Sequence, residues 1–375
     1  MNQRVNSRYS YLIVIISILG FIPQYLLRCN FDILYWMYNH FSTYFGDIWY
    51  CWSNYLNHNF PYPSEYPAGI QLIFRGLFLI PELKDNFAYY MAIMAVIFLI
   101  ITLLISIILL KLTIPTRKIL CFWLLAPSFL FYNFWNLDIF PILTMLLAFY
   151  CWQRNDHFLA IIALALGTTL KVFPIFVLPV YLLSVDKKHG LRLLLIFVLS
   201  WLLMNLPLMI VNWDAWIFPY SWQIQNNYSR TIQDGSWTWL LYVLLNPLGY
   251  GGLVGKISLI LFASGYAILM TKYRDLTLDT KIVVVMIMFL LTDRVYSPQY
   301  DLYLLSALVL FSGKTKLYQF YLLEIPNLLQ GLFLFFFKNH AILLQLLLLC
   351  KYCALILMLI NVLQQKNELS IAKIS

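Results

Sequence analysis

The chain has 375 residues, of which 62% are hydrophobic and 18% aromatic but only 11% charged. A soluble domain carries about 25% charged residues, so this composition excludes a chain whose whole surface meets water. The formal net charge of +9 invites a nucleic-acid reading, but the placement of the cations assigns it to membrane topology instead.

In chain order, apolar runs at 11–27, 87–110, 191–210, 317–337 and 341–363 each approach the roughly 20 residues that cross a hydrocarbon core. Glu324 and Lys351 are the charges in their interiors, with Arg192 at the very start of the third. The first run reads as a retained signal-anchor helix, because Pro23-Gln24-Tyr25 is no small-residue cleavage site. A long loop over 28–86 follows; its 67–81 portion, with Arg75 in the middle, is too short and too charged to span and predicts an interfacial helix. Further helices are predicted over 87–110, 119–135, 139–153, 158–170, 172–184, 191–211, 253–271, 281–293, 299–312, 317–337 and 341–363.

The stretches 158–184 and 281–312 predict short hairpins, since each half is about 20 Å of helix against a core of about 30 Å. Their tips hold Lys171 and Arg294. Broken helices at depth are tolerated where they line a cavity or pack against protein, and a cation there is either functional or snorkels to the interface. The segment 212–252 reads as a second outer loop whose Trp213, Trp216, Trp222, Trp237 and Trp239 suit an aromatic belt or a sugar-stacking platform equally. The expected fold is an all-α polytopic membrane protein of about ten to twelve transmembrane helices. It forms a single membrane domain over 1–375: first helix 11–27, structured outer loop 28–86, remaining bundle 87–363.

With the N-terminus in the cytoplasm, 16 of the 25 Lys and Arg fall on inner segments, the positive-inside pattern. Both termini are then cytoplasmic, in a multi-pass protein of the cell membrane. Ten of the 16 acidic residues lie on the outer side. Lys and Arg set topology whereas Asp and Glu contribute little, so the acidic bias needs another cause, and an outward-facing functional cleft is one. Cys29 and Cys51 share the first outer loop and can pair if the compartment is oxidising. Cys350 and Cys353 read as packing residues, and His58, His157, His189 and His340 as unclustered loop residues; no metal or cofactor is expected.

Motifs appear in a definite order: Asp47-Ile-Trp-Tyr50, Asn59-Phe-Pro-Tyr62-Pro, Glu65-Tyr66-Pro67, Asn136-Leu137-Asp138, Lys171-Val-Phe-Pro174 and Ser297-Pro298-Gln299-Tyr300. Over roughly residues 10–310 this order resembles the membrane-embedded GT-C glycosyltransferases that use polyprenyl-phosphate sugars. It is most similar to glycosyltransferase family 87, the bacterial α-1,2-mannosyltransferases and related enzymes. The resemblance implies transfer of a sugar, mannose in the first instance, from a polyprenyl-phosphate donor to a lipid- or glycan-linked acceptor on the non-cytoplasmic face. Membrane lipids are the surroundings, and nucleic acid is no partner. The family's catalytic carboxylate maps onto Asp47; Asp32, an extra upstream carboxylate, is an alternative base, and the sequence has no adjacent acidic pair.

Inverting transfer needs one carboxylate to take the proton of the attacking hydroxyl. A lipid phosphate is a good leaving group, so positive charge at the departing phosphate helps more than a second acid. Lys171, Arg294 and Arg230 are outer-side cations of that type. Tyr50, Glu65, Tyr66, Asp138, Gln299 and Tyr300 are the candidate sugar contacts. Each has a plainer reading. Asp47 and Asp138 can cap helices, Asp32 can pair with Arg28 at i, i+4, Glu65 and Tyr66 can form a turn, and Gln299 and Tyr300 can satisfy polar groups at the hairpin tip. Two competing functions are a transporter or flippase of lipid-linked sugars, which favours repeated broken helices, and a surface-polysaccharide polymerase or ligase.

Overall fold

The computed structural model describes residues 7–29, 47–48, 50–52, 64–134, 136–225, 236–336 and 341–371. Within them the chain is all α, with no strand. Four helices are long and apolar enough to cross a membrane: Phe87–Lys111, Lys187–Val211, Leu253–Lys272 and Leu343–Gln365. Shorter apolar helices accompany them. The chain divides into two compact units, Met1–Gln223 and Ile224–Ser375.

The first unit holds α1 (Ser7–Cys29), α2 (Ala68–Leu77), α3 (Phe87–Lys111), α4 (Ile139–Gln153), α5 (His157–Leu170), α6 (Lys187–Val211) and all but the last two residues of α7 (Trp213–Gln225). Helix α1 lies on α3, where the Ser17 and Ser106 hydroxyls meet at 3.3 Å. Phe134 plugs the space above that contact, with ring centroids 4.9 Å from Phe21 and 5.2 Å from Phe98. In lipid, apolar burial provides little drive for helices to associate, so close packing at small residues matters more. Gly167 of α5 is such a point: a Cβ there would sit 2.9 Å from the Pro174 ring. Gly69 of α2 is another, because its Cβ would lie 2.7 Å from the Thr169 carbonyl oxygen. These approaches bring α2 and the end of α5 together just before Lys171.

The predicted hairpin at 158–184 is observed as α5, an extended Lys171 (φ −156°, ψ 140°), a 3-10 turn Phe173–Val177 and a short helix Leu178–Leu182. The 67–81 portion forms α2 with buried Ala68, Ile70, Gln71 and Phe74 on one side and exposed Arg75 and Gly76 on the other. Three expectations fail. The 119–135 helix is broken into Thr116–Ile119, a π turn Leu120–Leu124 and Pro127–Tyr132; Pro127 forces Ala126 into an extended conformation (ψ 131°). The segment 212–252 is helical over α7 rather than loop-like, and Trp216 is buried, its indole N–H donating to Asn205 Oδ1 at 3.0 Å. His157 and His189 are not unclustered: His157 Nδ1 and His189 Nε2 stand 3.1 Å apart where the starts of α5 and α6 meet.

The second unit holds α8 (Thr238–Leu245), α9 (Leu253–Lys272), α10 (Leu278–Thr292), α11 (Asp301–Leu310), α12 (Leu317–Phe336) and α13 (Ala341–Ile371). Helices α10 and α11 are the second predicted hairpin, joined through a 3-10 turn at Pro298–Tyr300. Helices α12 and α13 pack along each other. Cys350 and Cys353 of α13 are exposed free thiols.

The backbone contact at Gly69 cannot relax by a rotamer change. We expect Gly69→Ala to destabilise the protein by about 1–3 kcal/mol. Gly76→Ala, which meets nothing within 4 Å, should leave stability unchanged or raise it by a few tenths of a kcal/mol, roughly, from helix propensity. Thermal unfolding of the detergent-purified variants distinguishes the two.

Candidate active site

The candidate site lies wholly within the first unit and is assembled from three chain segments. Residues 47, 48 and 50–52 are helical, and this piece is tied down from two directions. The Tyr90 hydroxyl of α3 donates to the Ile48 carbonyl at 2.7 Å, and the Trp52 indole N–H donates to the Leu83 carbonyl at 3.3 Å. Ile48 and Cys51 are buried beneath it. The second segment is the turn Asn136-Leu137-Asp138 between Phe134 and α4. The third is the tip after α5, where Lys171 leaves the helix.

Asp47 is held by the turn through both backbone and side chain. Its N–H donates to Asn136 Oδ1 at 3.1 Å, and its Oδ2 accepts from the Leu137 N–H at 3.2 Å. Asp138, although it stands at the N-cap position of α4, makes no capping hydrogen bond. Its fully buried carboxylate instead receives Lys171 Nζ at 2.6 Å. The Lys171 side chain remains 27% exposed, so it is anchored by Asp138 yet reachable from outside the protein interior.

The surroundings set the proton affinity of Asp47. Burial pushes its carboxyl up from the ordinary 3.8 to about 6. Lys171 and the Leu137 N–H oppose that rise, while the neighbouring Asp138 and Glu65 carboxylates add to it. Burial, with Asp47 nearby, pushes the Tyr66 hydroxyl well above its ordinary range and does the same to the Cys51 thiol. Both stay protonated at neutral pH. The Tyr66 hydroxyl is buried beside the Asp47 carboxyl, with which it interacts. Its backbone is fixed by Gln71 Nε2, which donates to the Tyr66 carbonyl at 2.9 Å and to the Ala215 carbonyl at 3.0 Å. Tyr50 faces Tyr66 with ring centroids 5.9 Å apart.

Of the residues singled out in the sequence, Asp47, Tyr50, Glu65, Tyr66, Asp138 and Lys171 therefore belong to one unit, and Asp47, Glu65, Asp138 and Lys171 are coupled through their charges. Asn136, Leu137 and Gln71 are supports that carried no assigned role; Asn136 and Leu137 stood in a quoted motif, but nothing local indicates that they bond to Asp47. Arg294, Gln299 and Tyr300 lie in the second unit. There the Arg294 side chain passes over Gly255, and the Tyr300 ring lies 6.1 Å from Phe289. Arg230, Asp32 and the 59–63 motif lie outside the described residues. Cys51 carries a free thiol, and the Cys29 side chain lies outside the described residues.

An all-α chain with membrane-length helices and a carboxylate site built around a Lys171–Asp138 ion pair has the make-up of a membrane-embedded enzyme. The model of glycosyltransferase family 87 matches residues 65–312, and the chain belongs to that family. Neither a curated protein nor a solved structure matches it significantly. The match begins at Glu65 and ends at Ser312, so Asp47 lies upstream of it and α12 and α13 lie beyond it.

The buried state of Cys51 is directly testable. A maleimide should leave the Cys51 peptide unmodified in the folded protein and label it fully after denaturation without reductant. Labelling that needs reductant as well would reveal a disulfide.

Proposed function

We propose that this glycosyltransferase moves a hexose, mannose in the first instance, from a polyprenyl-phosphate donor to a lipid- or glycan-linked acceptor, with inversion and with Asp47 as general base. In this reading the acceptor O–H faces Asp47. Its oxygen attacks the anomeric carbon as the C–O bond to phosphate breaks and the phosphate leaves with the bonding pair. The proton passes to Asp47. The observation that supports the role most is the geometry of that carboxyl: Oδ2 is anchored by Leu137, which leaves Oδ1 for the proton, and its affinity near 6 suits a base that works at neutral pH.

Lys171, ion-paired to Asp138 yet partly exposed, is proposed to neutralise charge at the departing phosphate. Tyr66, Tyr50 and Glu65 are proposed to contact sugar hydroxyls, which the position of the buried Tyr66 hydroxyl beside Asp47 suits. A bilayer-embedded enzyme fits a donor whose polyprenyl tail cannot cheaply leave the lipid. By the distribution of Lys and Arg, the termini are proposed to be cytoplasmic and the reaction to occur on the outer face. The scheme rests on the first unit alone. Family membership favours transfer over transport of lipid-linked sugars.

Membranes carrying the protein, incubated with radiolabelled polyprenyl-phosphate mannose and cellular acceptor lipids, provide the assay. Asp47→Asn should lower transfer by about 10²–10⁴-fold, the usual worth of a general base; normal transfer would remove Asp47 from that role. A base must be deprotonated, so wild-type kcat/KM should rise with pH through about 6 and level off above it. Asp138→Asn removes a like charge beside Asp47 and releases Lys171 towards it. Both changes favour the ionised form, so the rising limb should move to lower pH. An unmoved limb would uncouple Asp138 from the base.

A further inference from the structure

Lys351 is a cation fully buried in α13, eight residues into the membrane-length stretch Leu343–Gln365, about 12 Å of helix from its nearer end. A lysine at that depth is costly unless its charge and donors are satisfied. Here three neighbouring elements supply partners. Helix α12 offers Asn327 Oδ1 at 2.5 Å and Gln330 Oε1 at 2.9 Å. Helix α11 offers Asp301 Oδ2 at 3.8 Å. The turn before α11 places the face of the Tyr296 ring 3.7 Å from the ammonium, a cation–π contact. Glu324, one turn before Asn327 on α12, is buried and adds a second carboxyl near Lys351.

The groups that satisfy Lys351 also hold the turn at the hairpin tip. The Tyr296 hydroxyl donates to Asp301 Oδ1 at 2.6 Å, bracing one side of the turn. Asn327, whose oxygen takes Lys351, uses its Nδ2 to donate to the Pro298 carbonyl at 2.8 Å. Proline cannot donate a backbone hydrogen bond, so the turn has few ways to fix itself. Asn327 is thus the link between the buried cation and the Ser297-Pro298-Gln299-Tyr300 turn. The turn lies inside the family-matched residues 65–312, whereas Lys351, Asn327 and Gln330 lie beyond them.

We infer that Lys351, acting through Asn327 and Tyr296, is a positioning residue for the 296–300 turn, and that the C-terminal helix pair α12–α13 is a working part of the transferase rather than an appended anchor. A hydrophobic contact could hold α12 against α13 at less cost. Replacing buried ion pairs by packed apolar groups is often neutral or stabilising. What the polar cluster adds is a fixed register: the ammonium meets its partners in one arrangement, and a slip of α13 by one residue would break each contact that Lys351 makes. The transfer part of this inference rests on the glycosyltransfer reading above; the geometric part does not.

The test uses full-length protein in detergent with Ser297→Cys as a reporter in the partly exposed turn. Maleimide modification is read at the 297 peptide by mass spectrometry, so the native cysteines do not interfere. Lys351→Met removes the cation. Asn327→Ala removes the link to Pro298 and leaves the Lys351–Asp301 pair in place, which covers the case in which Lys351→Met does not fold. We expect each folded variant to label at position 297 at least about tenfold faster than the parent, with the double variant no faster than either single one, as for residues in one network. Without the reporter, we expect transfer from polyprenyl-phosphate mannose to fall at least about tenfold in kcat, with KM within about threefold. Unchanged labelling in the folded variants overturns the brace. Faster labelling with unchanged kcat overturns its part in transfer. Were the wild type inactive with this donor, the labelling alone would decide for or against the brace.

Discussion

The hold of the Asn136–Leu137 turn on Asp47 is the contact on which the candidate site depends. Two hydrogen bonds, one to the backbone and one to the carboxyl, join a short helical piece of the first loop to a turn nearly ninety residues later. They aim the Asp47 carboxyl at the Asp138–Lys171 pair, while Tyr90 and Trp52 hold the same helical piece in place. The aromatic plug at Phe134 sets the height of that turn against α1 and α3, and the close approaches at Gly69 and Gly167 set where Lys171 emerges. The chemistry of the site is therefore a consequence of packing among helices too short to cross a membrane alone. Their ends bring polar backbone and charged side chains together in the protein interior, which lipid would not tolerate.

Charge is handled in the same way in both units: a lysine is matched to carboxyl groups from a different helix. In the first unit the pair is Lys171 with Asp138, left partly open, which lets it influence Asp47 and still face a ligand. In the second the pair is Lys351 with Asp301, closed from every side. Openness separates the two roles proposed for them. A half-exposed cation can answer to a substrate's charge, whereas an enclosed one can act only on its protein neighbours.

Much of the helical order was legible from the chain, because long apolar runs, prolines and isolated charges have local meaning. Helices α3, α5 and α10–α12 fall within about three residues of the runs that predict them, and α13 (Ala341–Ile371) runs on past its predicted end at 363. The failures share a physical cause. The break at Pro127 lies inside an apolar run and is visible only as one proline. Helix α7 was hidden by its polar residues and tryptophans, which suit a wet loop as well as a helix that buries Trp216 against Asn205. The partner of Asp138 lies 33 residues away and the partner of His157 lies 32 away; such separations leave no local periodicity. Nor could spacing show that Asp138 would ion-pair instead of capping its helix. The lysine within α13 was noticed as an interruption, but its explanation required Tyr296, Asp301, Asn327 and Gln330 to converge from three elements.

The central claim is that the protein environment raises the proton affinity of Asp47 to a value useful at neutral pH. Infrared difference titration of the full-length protein tests it without any substrate. The protonated-carboxyl band present in wild type and absent in Asp47→Asn should disappear with a midpoint near the expected value of about 6. A midpoint at the ordinary 3.8 would mean that the clasp, the burial and the neighbouring charges do not tune this carboxylate, and would contradict the account.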